Sequence, residues 1–401
     1  MSRFKLCITL LGVFSAFLTG CWDHVEIEDR GFIIGIAIDL ADETGEKLEE
    51  SEGEYRYKGT YQFVVPSGLS QGASGQGGQG GTSQKAYNNL VIEDETISGQ
   101  SRHLGEETSR TPFNEHLQTI IISENVAKIP KALGNVLDFF LRDSETRRGI
   151  KVMIAEGEAG PILGIQPTPE NLPVMHIDSI VENSFKNARI LPEKRIGSIH
   201  ERLIDKTSFV VPKIKRDNQK INIAGAAVFH GHNNQMIGFI NGDITEGLNL
   251  ITGDYKGGIL KTKVENKLVV YEIKREKSSV KVESKNKENI QFHIKIEAEG
   301  QIGESFGSLD YMNPKILSKV ETAVEKEIER KVSKTIKTFQ EDLRVDALGL
   351  GGYLQREDYD TWKRIKQDWD DGKNHFSTST IKVQADIIVQ TPGAIIESEK
   401  Q

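Results

Sequence analysis

Residues 31–40 read GFIIGIAIDL, an almost unbroken apolar run of strand length, and predict a strand buried on both faces. Tyr55, Tyr57, Tyr61, Phe63 and Val65 then alternate with polar or small residues as far as Pro66. That is the period of a half-buried strand ended by a residue without a donor, and it is a candidate partner for the first. Residues 116–122 (HLQTIII) predict another strand. Val126, Ile129, Leu133, Val136, Leu137, Phe140 and Leu141 recur at three- and four-residue spacing, which predicts one amphipathic helix facing a core. Residues 151–155 predict a return strand, and Pro161, Pro167, Pro169 and Pro173 mark a border or linker.

Residues 208–240 hold three strand-like pieces, SFVVPKI, INIAGAAVF and QMIGFI, with a turn at 230–234. From residue 267 the pattern becomes a β-meander: 268–274, 280–283, and the alternating Ile290, Phe292, Ile294 and Ile296. Asn313-Pro314 signals a helix start. Ile316, Val320, Val324, Ile328, Val332 and Ile336 then repeat every four residues, a period that drifts around the axis, so the helix must curve or meet more than one partner surface. Gly349, Gly351 and Gly352 interrupt the helical pattern, Trp362, Ile365 and Trp369 share a face, and Ile381, Val383, Ala385, Ile387 and Val389 predict a closing strand. The C-terminal unit is therefore β-β-β-α-α-β. The expected fold class is α+β, each unit a mixed or antiparallel sheet packed with helices, divided into 21–190, a small β-rich 191–262, and 263–395 with the long helix. Within the first unit, residues 67–84 are almost wholly Gly, Ser and Gln and predict a flexible insertion. No Gly-Lys-Ser/Thr follows, which argues against a phosphate cradle.

The chain opens with Arg3 and Lys5, then an apolar core over 6–17 broken only by Thr9, Gly12 and Ser15, and ends this stretch with Leu18-Thr19-Gly20-Cys21. The core is too short to span a bilayer, and Asp23, His24, Glu26, Glu28, Asp29 and Arg30 follow at once. Residues 1–20 read as a lipoprotein signal peptide, and the Cys21 thiol as the acceptor of a thioether-linked diacylglycerol. The mature chain is expected to start at Cys21.

Removing residues 1–20 takes away Arg3 and Lys5 and moves the net charge from −8 to −10, which disfavours nucleic acid as a partner. It also leaves the acyl chains, rather than attraction to anionic lipid, to hold the protein at a membrane. Cys7 lies in the signal and Cys21 is consumed by lipid, so no disulfide is expected. No apolar run of transmembrane length follows Cys21, and the body is expected outside the cytoplasmic face.

Other candidates favour structural roles. Trp22 suits either an interfacial anchor or packing on the first strand. Arg142, Asp143, Glu145 and Arg147 suit a salt-bridged helix end more than a receptor contact. His230 and His232 lack a carboxylate or thiol at ligand spacing, so a solvated turn is preferred and no metal is expected. Trp362 and Trp369 suit core or interface packing more than a ligand-stacking platform. Lys274, Arg275, Lys277, Lys281, Lys285 and Lys287, mixed with Glu272, Glu276, Glu283 and Glu288, predict a solvated sheet face. No Ser/His/Asp set stands in a nucleophile-elbow context and no metal-hydrolase signature occurs, so neither catalysis nor a cofactor is expected.

Taken in order, Leu18-Thr19-Gly20-Cys21-Trp22-Asp23, GIAID (35–39), LRDSETRRG (141–149), GAAVFHG (225–231), GLGGYLQ (349–355) and the paired tryptophans resemble the Ger(x)C family over essentially the whole chain. These are the lipoprotein C subunits of spore germinant receptors in endospore-forming bacteria. The resemblance implies a three-domain α+β protein on the outer surface of the spore inner membrane, acting with A and B integral-membrane subunits in the response to nutrients. It carries over one functional residue, Cys21, as lipid acceptor. The 67–84 insertion departs from the family pattern. A solute-binding lipoprotein of a transporter shares the same signal, but such proteins are usually built of two repeated α/β lobes with parallel sheets, and the chain shows meanders. An envelope hydrolase requires a clustered acid/base or metal constellation that the sequence does not offer.

Overall fold

Isoleucines at 33, 34, 36 and 38 leave the first strand no polar face for water, and the chain buries it between layers of helices. In the computed structural model, which describes residues 26, 29–41, 55–71, 85–166, 170–286, 289–307 and 309–391, β1 (Arg30–Leu40) is the hub of a ten-stranded mixed sheet. It pairs antiparallel with β2 (Tyr57–Val64), which pairs with β3 (Tyr87–Asp94). The short β4 (Thr111–Phe113) lies parallel to the first residues of β1, and β5 (Thr119–Ser123) parallel to its second half. β6 (Lys151–Ala155) and β7 (Phe209–Asp217) continue the parallel centre. β8 (Lys220–Asn222), β9 (Ala226–His230) and β10 (Gln235–Ile240) complete the sheet antiparallel. Strand pairing therefore runs unbroken past residue 191, and the break between sheets falls between Ile240 and Gly258.

One face of this sheet buries Ile36, Ile38, Ile120, Ile122, Val152 and Ile154 under α1 (Ile97–Glu107) and α2 (Ala132–Arg142). The other buries Ala37, Ile121 and Met153 under Ile162, Leu163 and α3 (Pro173–Glu182). A Cβ on Gly35 would stand 2.2 Å from Val174 Cγ2, so only glycine lets α3 approach β1 this closely. The helix expected over 126–141 is two: a turn at Glu124–Ala127 and then α2. Pro130 intervenes and Lys131 takes a left-handed φ of 65° at the new N-cap. Pro173, expected at a border, instead opens α3, where its missing N–H costs nothing. The first residues of the Gly/Ser/Gln stretch belong to a helical turn, Pro66–Gln71; the remainder lies outside the described residues, as do Cys21 and Trp22.

α4 (Ile196–Asp205) precedes β7, and α5 (Gly242–Thr252) follows β10 and leads to the second sheet. That sheet is β11 (Gly258–Val264), β12 (Lys267–Asn286), β13 (Asn289–Ser305) and β14 (Thr380–Thr391), in that order. The meander pieces expected separately are joined into the long β12–β13 hairpin, whose pairing continues across register shifts at Val270/Tyr271, Ile273/Arg275 and Ser284/Asn286.

Between β13 and β14 lies α6 (Pro314–Lys337), capped by Asn313, whose Oδ1 accepts from Lys315 N at 3.0 Å. Its buried Val320, Val324, Ile328, Val332 and Ile336 meet α5, β11 and β14, three partner surfaces for a stripe that drifts. β14 pairs parallel with β13 on one side. On its open side the N–H groups of Ala385, Ile387 and Val389 donate to Glu329, Glu325 and Glu321 of α6. α7 (Leu350–Glu357) contains Gly351 and Gly352, which the sequence suggested would break it; only Gly349 stands outside, as a left-handed N-cap with φ 81°. α8 (Tyr359–Ile365) follows. Val210, Val228 and Ile240 of the first sheet share one core with Leu248, Tyr271 and Phe292. The architecture is α+β, as expected.

Candidate functional site at the junction of the sheets

His232, just past the GAAVFHG strand, the GLGGYLQ helix and the tryptophan pair, distant in sequence, line one cleft of about 750 Å³ between the sheets. Ser208, just before β7, ties them together. Its Oγ donates to Asp370 Oδ2 at 2.6 Å and accepts from Gly231 N at 3.0 Å. Asp370 Oδ2 also accepts from Asp346 N at 3.1 Å. The fully buried Asp346 carboxylate accepts from Leu350 N at 3.0 Å, Gly351 N at 2.6 Å and Trp369 Nε1 at 2.7 Å. It thereby holds the first turn of α7 and the indole together. Burial pushes its pKa up, and the three hydrogen bonds work against that rise. Ser208, Asp346 and Asp370 are each hydrogen-bonded across the junction, so the three act as a joint that fixes the second sheet on the first.

The tryptophans divide the roles weighed for them. Trp369 is core, edge-on to Phe292 at 6.0 Å and tilted against Phe376. Trp362 packs T-shaped on Trp369 at 5.9 Å and is half-buried on the cleft wall. His232 faces Asp371 at 3.7 Å from an exposed position, and His230 buries Nδ1 without a partner among the described residues. No group of three or more His, Cys, Asp or Glu side chains converges as metal ligands among the described residues.

The 141–149 segment forms a second cleft, about 800 Å³, against Tyr57, Asn114 and Phe139. Arg142 pairs back to Asp138 at 2.7 Å along α2. Asp143 and Glu145 take a different role, accepting from Asn114 Nδ2 at 3.2 Å and Asn114 N at 3.3 Å. The helix end thus docks on the β4–β5 loop more than it bridges to itself. On the second sheet Lys274 pairs with Glu272 at 2.6 Å and Lys295 with Asp386 at 2.7 Å, as a solvated face should. Glu276 departs from that expectation. Both its carboxylate oxygens are buried without partners among the described residues, and burial, with Asp254 adding to it, pushes its pKa up to about 8.

The joint residues Ser208, Asp346 and Asp370 carried no sequence signal of their own. The one clue was the clustering of glycine and tryptophan around 349–369, where a missing Cβ marks close packing. A Cβ on Gly351 would fall 2.7 Å from Trp369 Nε1.

Two family models match the chain in order: the spore germination protein N-terminal domain over residues 23–216, and the Spore germination B3/GerAC like, C-terminal domain over 224–393. Spore germination protein YndF of Bacillus subtilis (strain 168) is 32% identical over 386 residues, 94% of each chain. Spore germination protein B3 of the same organism is 26% identical over 88% of this chain and 90% of its own, and spore germination protein A3 is 25% identical over 97% and 98%. The crystal structure of the GerBC protein shares the fold, with a TM-score of 0.60 over 88% of this chain and 97% of that one at 21% identity. Matched along both halves by the family's own domains, the chain belongs to the Ger(x)C family of spore germination proteins.

Proposed function

We propose that the chain is the lipid-anchored C subunit of a spore germinant receptor. In this reading it is a non-catalytic lipoprotein at the outer surface of the spore inner membrane, assembled with A and B integral-membrane subunits in the response to nutrients. One observation carries it. The two family domains account for 23–216 and 224–393, and the segment before them ends in Leu18-Thr19-Gly20-Cys21. No helix among the described residues is long and apolar enough to cross a membrane, and the acylated Cys21 supplies attachment. Arg30 lies nine residue steps beyond Cys21, a reach of at most about 32 Å, so the amino-terminal end of β1 stays close to the bilayer.

Changing Cys21→Ala is expected to move the protein from the membrane to the soluble fraction of spores. Crosslinking in spore membranes, read by mass spectrometry, is expected to recover A and B subunits. Unchanged fractionation counts against the anchor, and crosslinks to no membrane subunit count against the receptor role.

A further inference from the structure

A separate cavity of about 390 Å³ lies where the sheets meet, closed by α4, the start of β7, the end of α5 and the 347–349 turn. Its walls are mixed: Leu191, Leu248 and Leu348, each buried, give it an apolar side, and Ser198, Ser208 and Thr252 are among its polar groups. Two cations line it as well: Lys194, largely buried, and Arg202 of α4. Neither makes an ion pair among the described residues. Glu193, next in sequence, is committed to Lys151 at 3.4 Å and to Arg195. Asp254, also on the wall, accepts from Thr252 Oγ1 at 3.1 Å and acts on Lys194 only from beyond ion-pair distance.

Burial holds the Lys194 ammonium below the usual lysine range; Asp254 opposes that shift and Arg202 adds to it. Lys194 inside and the exposed Arg202 at the rim face the same space, with Asp254 beyond ion-pair distance, which leaves one positive charge uncompensated.

We propose that this cavity binds a small organic monoanion, a carboxylate whose charge bridges Lys194 and Arg202 and whose hydrocarbon body rests on Leu191, Leu248 and Leu348. The single uncompensated charge selects a monoanion over a dianion. At about 30 Å³ per water-sized volume the space takes about a dozen heavy atoms, more than a bare inorganic anion fills. Carboxylate on guanidinium and ammonium gives charge-assisted hydrogen bonds, and the leucines reward each added methylene. The proposal stands on this cavity alone and holds whether or not the chain is a receptor subunit.

The test is isothermal titration of the full chain in non-ionic detergent, against detergent blanks, with butanoate, hexanoate, hexylammonium and inorganic phosphate. Hexanoate is expected to bind more tightly than butanoate, and hexylammonium and phosphate not to bind. Arg202→Gln, at an exposed position, is expected to weaken hexanoate by about tenfold, the worth of one charge-assisted hydrogen bond. Lys194→Met, checked for folding by circular dichroism, is expected to abolish binding. The proposal is overturned if no carboxylate binds at about 10 mM, if hexylammonium or phosphate binds as well as hexanoate, or if Arg202→Gln leaves the affinity unchanged.

Discussion

Replacing Glu321, Glu325 and Glu329 together by alanine probes how the second sheet closes its open edge. The three carboxylates stand one turn apart on α6 and accept from Val389 N at 3.1 Å, Ile387 N at 3.3 Å and Ala385 N at 3.2 Å. Four residues of helix advance about 6.0 Å and two residues of strand about 6.7 Å. The mismatch of about 0.7 Å per rung is small enough for a glutamate side chain to absorb over three rungs. Helix and strand run in opposite directions, so the helix side chains imitate an antiparallel neighbour. A hydrogen bond to a charged acceptor contributes about 1.5–3 kcal/mol when buried. These carboxylates are partly exposed and water can replace them, which reduces the expectation to about 0.5–1 kcal/mol per rung. The triple variant is therefore expected to lose about 2 kcal/mol in urea denaturation, although alanine is the better helix former by a few tenths. Hydrogen exchange at Ala385, Ile387 and Val389 is expected to accelerate. A loss under about 0.5 kcal/mol with unchanged exchange at those amides refutes the reasoning.

Glu276 keeps a proton in the folded chain up to about pH 8 that the unfolded chain releases near its ordinary 4.5. Its contribution is full below the unfolded value and drains as pH rises through the folded one. Glu276→Gln is expected to flatten that fall in denaturant titrations at several pH values, and parallel profiles for variant and parent would count against it. Asp346→Asn removes an acceptor from three converging donors and is expected to cost about 2–4 kcal/mol with a red-shifted Trp369 emission; unshifted fluorescence contradicts the joint. Gly351→Ala gains about 1 kcal/mol of helix propensity but drives a methyl against both tryptophans, at about 1–3 kcal/mol of overpacking. A melting temperature above that of the parent argues against the close packing.

Elements with one clear period were legible in the sequence: the continuous β1, the alternating β2 and β14, and the four-residue stripe of α6. α1 was missed because one of its three buried positions is Gln100, satisfied by Tyr57 O at 2.8 Å and Tyr61 Oη at 2.7 Å, which leaves Ile97 and Leu104 too far apart to show a face. α5 was missed for the opposite reason. It is buried nearly all round, with Thr245, Glu246 and Asn249 inside, so its pattern has no polar side. At the junction, Ser208 and Asp370 meet across 162 positions, a separation at which local pattern carries no information. His230, His232 and the tryptophans were visible as residue types, but their partners were set by the tertiary fold.

The parallel seat of β14 beside β13 has a consequence for synthesis on the ribosome. The strand that completes the second sheet emerges only after α6, α7 and α8 have left the exit tunnel. A nascent chain stalled short of residue 380 exposes the backbone of β13 and leaves three acids of α6 facing no amide. Such a fragment is a ready substrate for quality-control proteases, so premature termination within the final strand should yield degraded polypeptide rather than a shortened, working protein.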